Sequence, residues 1–177
     1  MNNNIVLAFR EIFNNKILNP ECKTLRLTHY DLSIFKNNNT PKTEEKCYII
    51  RKGKNRIDLP KQFDGKIIDG LPEPTIAEIF NQTKYCISYD TQTAYTSLAA
   101  LCGCIPIIVT EGNKTREDYL TQNERGYGKA YGFSKEEISF AISTKNLLEK
   151  KYQENEERNQ QNLRKFLEYC EILMKNQ

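Results

Sequence analysis

Apolar residues in this 177-residue chain gather in short runs separated by polar turns. After residue 46 two kinds of run alternate. Cys47-Tyr48-Ile49-Ile50, Ile67-Ile68, Tyr85-Cys86-Ile87-Ser88 and Ile105-Pro106-Ile107-Ile108-Val109 are compact and rich in β-branched residues, as strands are when helices cover both faces. Residues 93–102 lie between two of them, too many for a hairpin and rich in Ala and Leu. They predict a crossover helix joining parallel strands. After the rigid turn Leu71-Pro72-Glu73-Pro74, Thr75-x-x-Glu78 predicts a capping box opening a helix that runs to about Asn81. Residues 115–120 predict a polar helical turn, and 126–132 are glycine-dense and lack helical periodicity. Ser134-x-x-Glu137 is a second capping box, continued by Ile138, Ala141 and Ile142. Residues 149–175 predict one long helix or two, with Leu163, Phe166, Leu167, Cys170, Leu173 and Met174 on one face. The succession predicts an α/β fold: a Rossmann-like parallel sheet flanked by helices, with a long C-terminal helix.

The first 46 residues fit this scheme less closely. Residues 5–16 suit a short helix, or a strand at 5–9; residues 24–28 alternate as a half-buried edge strand; residues 37–45, with Pro41, predict an exposed loop. The organisation expected is therefore an N-terminal segment (1–46), a sheet domain (47–148) and a C-terminal helix packing back on it (149–177). The length suits one domain with a sizeable core.

Lys+Arg 26 against Asp+Glu 23 gives a formal charge of +3 without a long basic run, which argues against a nucleic-acid partner. No apolar run approaches the roughly 20 residues that span a bilayer, and the first residues carry no basic n-region. A cytoplasmic protein is expected, associated with a membrane face at most peripherally. The chain has six cysteines. Cys47, Cys86, Cys102 and Cys104 sit in or beside apolar runs, and Cys102-Gly103-Cys104 lacks metal-ligand spacing, so core packing is expected of them and no metal.

A nucleophile elbow, a dinucleotide-binding glycine fingerprint and a Walker lysine motif are all missing from the sequence. Two features remain. Arg51-Lys52-Gly53-Lys54 follows a strand and reads either as a phosphate-holding turn or as a solvated basic turn. Ser88-Tyr89-Asp90-Thr91-x-Thr93 lies at a strand-to-helix junction, where hydroxyls and N–H groups suit diphosphate oxygens and a carboxylate suits sugar hydroxyls. The alternative for Asp90 or Thr91 is a helix cap.

Together with Ile68-Asp69-Gly70, Ala99-Ala100-Leu101-Cys102-Gly103-Cys104-Ile105-Pro106 and Gly128-Lys129-Ala130-Tyr131-Gly132, these motifs resemble the C-terminal, donor-binding domain of GT-B glycosyltransferases. The similarity covers about residues 47–174 and is nearest to bacterial enzymes that build lipopolysaccharide or capsule. It implies a nucleotide-sugar as partner and substrate, with no cofactor and no obligatory metal. Arg51 and Lys52 would neutralise the diphosphate, and Thr91 and Thr93 would donate to it from the helix N-terminus. Asp69, Gly70 and Leu71 would flank the base, and Tyr89 and Asp90 would touch ribose or sugar. Ala99 stands where many retaining members carry a ribose-binding Glu, a contact that Asp90 or Glu111 would have to replace. The resemblance also implies an N-terminal acceptor-binding half in cis or trans, holding the catalytic base, without which this domain is inactive. The rival readings are a teichoic-acid-type polyol-phosphate transferase domain using a cytidine nucleotide and a non-enzymatic binding or scaffold domain.

Overall fold

The computed structural model describes residues 7–8, 23–25, 30–120 and 124–175. The chain divides into two compact units, one spanning Asp31–Lys150 and the other combining Met1–Tyr30 with Lys151–Gln177. In the latter, β1 (Leu7–Ala8) pairs in parallel with β2 (Lys23–Thr24). The remainder of the expected 5–16 and 24–28 elements lies outside the described residues.

Asp31–Lys150 is built on a parallel sheet of β3 (Glu44–Ile49), β4 (Lys66–Ile67), β5 (Thr83–Ser88), β6 (Ile105–Ile108) and β7 (Ala130–Tyr131), in the order β4-β3-β5-β6-β7. Helices α1 (Glu73–Gln82), α2 (Tyr95–Leu101), α3 (Arg116–Tyr119) and α4 (Lys135–Ser143) fall between or after the strands. The long α5 (Lys145–Lys175) begins in this unit and continues in the other. The fold is thus α/β and Rossmann-like, with a long C-terminal helix. Among the described residues no helix is long and apolar enough to cross a membrane.

The alternation of side chains explains the burial. Tyr85, Ile105 and Ile107 share a face with the α4 residues Ile138 and Ala141, whereas Cys86, Ser88, Pro106 and Ile108 turn to the opposite face and are also buried. Phe80, Ile49, Ile68, Ile76 and Ile108 are almost wholly enclosed, each contributing about 1.5–3 kcal/mol of apolar burial. Cys47, Cys86 and Cys102 have no exposed surface and Cys104 is 3% exposed, so these thiols serve the core as expected. A proline inside a sheet removes a ladder donor unless its nitrogen faces no partner. Val109 N donates to Ser88 O on the β5 side, while Ile108 O accepts from Gly132 N on the other. By that parity Pro106 directs its nitrogen away from β5, ahead of the point where β7 begins.

Four local expectations are corrected. β3 starts at Glu44 rather than Cys47, because Glu44, Lys46 and Cys47 find partners on β5; charged residues at a strand's exposed start hide its periodicity. α1 starts at Glu73 on an N-cap Pro72 without a side-chain cap, so the Thr75 capping box is not its opening. Pro74 costs nothing in a first turn whose N–H groups are unpaired anyway. The glycine-dense segment contains β7, only two residues long and thus below any periodicity signal. α2 starts at Tyr95, with Ala94 as its N-cap, so Thr91 and Thr93 belong to the preceding turn rather than to the helix.

Candidate functional site

In an open parallel sheet, a ligand crevice forms where successive connections leave in opposite directions from the carboxyl edge. Here the chain goes from β3 outward to β4 and then back across to β5, which places that point between β3 and β5. The two turns that meet there are Arg51-Lys52-Gly53 after β3 and Tyr89-Asp90-Thr91-Gln92 after β5.

The first turn is held in a strained form. Arg51 has φ +24°, a left-handed backbone that costs a non-glycine residue about 1–3 kcal/mol. Asp69 holds it there, with Oδ2 accepting from Ile50 N at 2.7 Å and from Arg51 N at 3.0 Å. Gly53 closes the turn against the second one, since a Cβ at this position would lie 2.3 Å from the Tyr89 carbonyl oxygen. In the second turn Ser88 Oγ donates to Asp90 O at 2.7 Å, and Asp90 Oδ1 accepts from Gln92 N at 3.0 Å. Asp90 is 2% exposed, and its Oδ2 is buried with no hydrogen-bond partner. Lys52 Nζ reaches across to Gln92 O at 3.4 Å.

Together these turns bound a cleft of about 170 Å³, lined by Lys52, Gly53, Arg56, Tyr89, Asp90, Thr91, Gln92 and Glu111. Two of the charges are already spent. Arg56 grips Asp58 through both of its forks (2.8 and 2.6 Å) and donates to Val109 O at 2.8 Å, Thr110 O at 3.2 Å and Tyr89 O at 3.4 Å. Glu111 pairs with Lys114 at 2.8 Å, which holds its carboxyl below the usual range. Lys52 and Asp90 are in no ion pair among the described residues, so the cleft offers one available cation and one carboxylate with an unused oxygen. The Tyr89 ring lies under the Arg56 guanidinium (5.4 Å), and burial pushes its phenol up.

Of the sequence-predicted residues, Lys52, Tyr89, Asp90 and Thr91 meet in the cleft. Arg51 is exposed and turns its guanidinium over the Tyr95 ring at 5.8 Å instead. Thr93 Oγ1 accepts from Tyr95 N at 3.3 Å. Asp69 positions the β3 turn, and Gly70 and Leu71 are exposed, with none of the three lining the cleft. Arg56 and Asp58 escaped the sequence reading. Their signal, an Arg and an Asp two residues apart in a loop without periodicity, has no meaning until the ends of β5 and β6 are placed beside them.

No family model, curated protein or solved structure matches the chain.

Proposed function

We propose that this domain is the nucleotide-sugar-binding half of a glycosyltransferase acting in surface polysaccharide biosynthesis. The observation that carries the reading is that one cleft at the β3/β5 switch point is lined both by Lys52 and by the buried, half-satisfied carboxylate of Asp90. A diphosphate needs a cation and a ring hydroxyl needs an acceptor; one cleft offers both. At about 170 Å³ the cleft lies below the roughly 300 Å³ at which whole-ligand pockets begin, so it suits the diphosphate and its immediate neighbours. Lys52 would offset the charge that builds on the departing nucleoside diphosphate as the anomeric C–O bond breaks. The acceptor hydroxyl and the base that takes its proton would come from the other half, in cis or trans.

Calorimetric titration with UDP, GDP, ADP and CDP tests this. Binding of at least one, weakened about tenfold or more by Lys52→Ala, is expected. A preference for the cytidine nucleotide would move the reading to the polyol-phosphate transferase class. No heat with any of the four would leave a scaffold domain.

A further inference from the structure

Lys46, Tyr48, Ile87 and Tyr89 point to one face of β3 and β5, since Lys46 pairs with Tyr85 and Tyr48 with Ile87 in the register. In most parallel sheets the connection leaving a strand covers such a face with a helix. Here the β3-to-β4 connection, residues 50–65, contains turns and the three-residue 3-10 turn Arg51–Gly53 only. In place of a helix there is an open groove of about 530 Å³, well within the roughly 300–1,000 Å³ of small-ligand sites.

Its walls are aromatic. Phe63 stands edge-on to Tyr48 with centroids 4.8 Å apart, Tyr89 belongs to both groove and cleft, and Phe133 is at the rim, 58% exposed. Its polar side is a linked set. Lys46 Nζ pairs with Asp64 Oδ2 at 2.6 Å, the Tyr48 hydroxyl donates to Asp64 Oδ1, and Gln62 lies beside them. Burial, and then Asp64 as acceptor, push the Tyr48 phenol up, so this hydroxyl stays protonated. The Lys46 and Asp64 charges cancel, which disfavours a phosphate or an anionic polymer. Four groups that accept or donate disfavour a purely apolar ligand. A pyranose ring has a C–H face for an aromatic wall and a rim of hydroxyls that both donate and accept, and it satisfies both sides.

We propose that this groove is a saccharide site distinct from the diphosphate cleft. Saccharide binding stands on the groove alone; that the bound sugar is a part of the acceptor glycan remote from the reacting hydroxyl, which the other half presents, rests on the transferase reading above. Maltohexaose, chitohexaose, a β-1,4-galactohexaose and, for comparison, uridine are titrated into the full chain while the ring resonances of Tyr48, Phe63, Tyr89 and Phe133 are followed by NMR. At least one hexasaccharide should shift these rings. Phe133→Ala, at an exposed position, should weaken it about tenfold, and Lys52→Ala should leave it unchanged. No ring shift with any hexasaccharide, ring shifts with uridine instead, or undiminished binding by Phe133→Ala would overturn the proposal. Saccharide binding in a protein that binds no nucleoside diphosphate would remove the donor reading and leave the saccharide site standing.

Discussion

Replacing Asp90 by Ala separates a ligand-binding carboxylate from one that only braces its turn, because the two roles predict stability changes of opposite sign. Truncation removes the Oδ1 bond to Gln92 N, worth about 1 kcal/mol. Gln92 is exposed, so its freed N–H can turn to water. Truncation also removes Oδ2, a buried oxygen with no partner, whose desolvation costs the folded state about 1–3 kcal/mol. The sum runs from neutral to about 2 kcal/mol more stable. A carboxylate that only braced its turn, with no cost outstanding at the second oxygen, would instead lose about 0.5–1.5 kcal/mol on truncation. Urea unfolding of wild type and Asp90→Ala gives the sign, and calorimetry with the best-bound nucleotide gives the affinity, expected to fall at least about tenfold. A destabilisation of about 1 kcal/mol or more, on the scale of a lost turn bond, with unchanged nucleotide affinity would show that Asp90 only braces the turn.

Gly53→Ala should cost more than about 2 kcal/mol in urea unfolding and abolish binding in the cleft, since the new methyl meets the Tyr89 carbonyl at 2.3 Å and backbone must move. Asp69→Ala releases the two amides that hold Arg51 in its left-handed backbone; the loss of two bonds, about 2 kcal/mol, is offset by the relieved strain and by removal of Oδ1, a buried oxygen without a partner, so urea unfolding should show a destabilisation of no more than about 1 kcal/mol, and a crystal structure of the variant should show Arg51 back at negative φ. Arg56→Lys should lower the stability by about 2 kcal/mol in thermal unfolding although the charge is kept, because an ammonium cannot hold both Asp58 oxygens and the carbonyls of Val109 and Thr110. Burial raises the Tyr131 phenol from its ordinary 10 to about 12. The folded state therefore keeps a proton that the unfolded chain releases. Its contribution, about 2–3 kcal/mol, is complete below pH 10 and is lost as the pH rises from 10 to about 12; denaturant midpoints across that range should fall accordingly.

Three strands, β3, β5 and β6, were legible from hydrophobicity, and so was α2, because burial on both faces leaves its mark in composition; β4 was legible only from the Ile67-Ile68 pair it borders, since both of its own residues are exposed. β7 was not, since its register to Ile107 and Ile108 is set by the glycine turns before it and by Arg116, which donates to Gly126 O and Lys129 O and pairs with Glu137. The same Glu137 accepts from Tyr131 N at 2.8 Å, so the acidic member of the apparent capping box is spent on the sheet; Ser134 Oγ alone caps α4 by accepting from Glu137 N at 3.2 Å. In the cleft, Lys52, Tyr89, Asp90 and Thr91 could be read because a strand's carboxyl end is recognisable locally. The groove could not, for it results from a helix missing between β3 and β4 and unites residues from 46 to 133.

The central claim is that the two turns at the β3/β5 switch point hold a nucleoside diphosphate. A backbone-amide NMR titration with UDP, GDP, ADP and CDP tests it most directly. Saturable shifts for at least one nucleotide are expected, concentrated at residues 50–53 and 89–92 and requiring about tenfold or more nucleotide to saturate in Lys52→Ala. Saturable shifts located elsewhere, or none with any of the four, would contradict it.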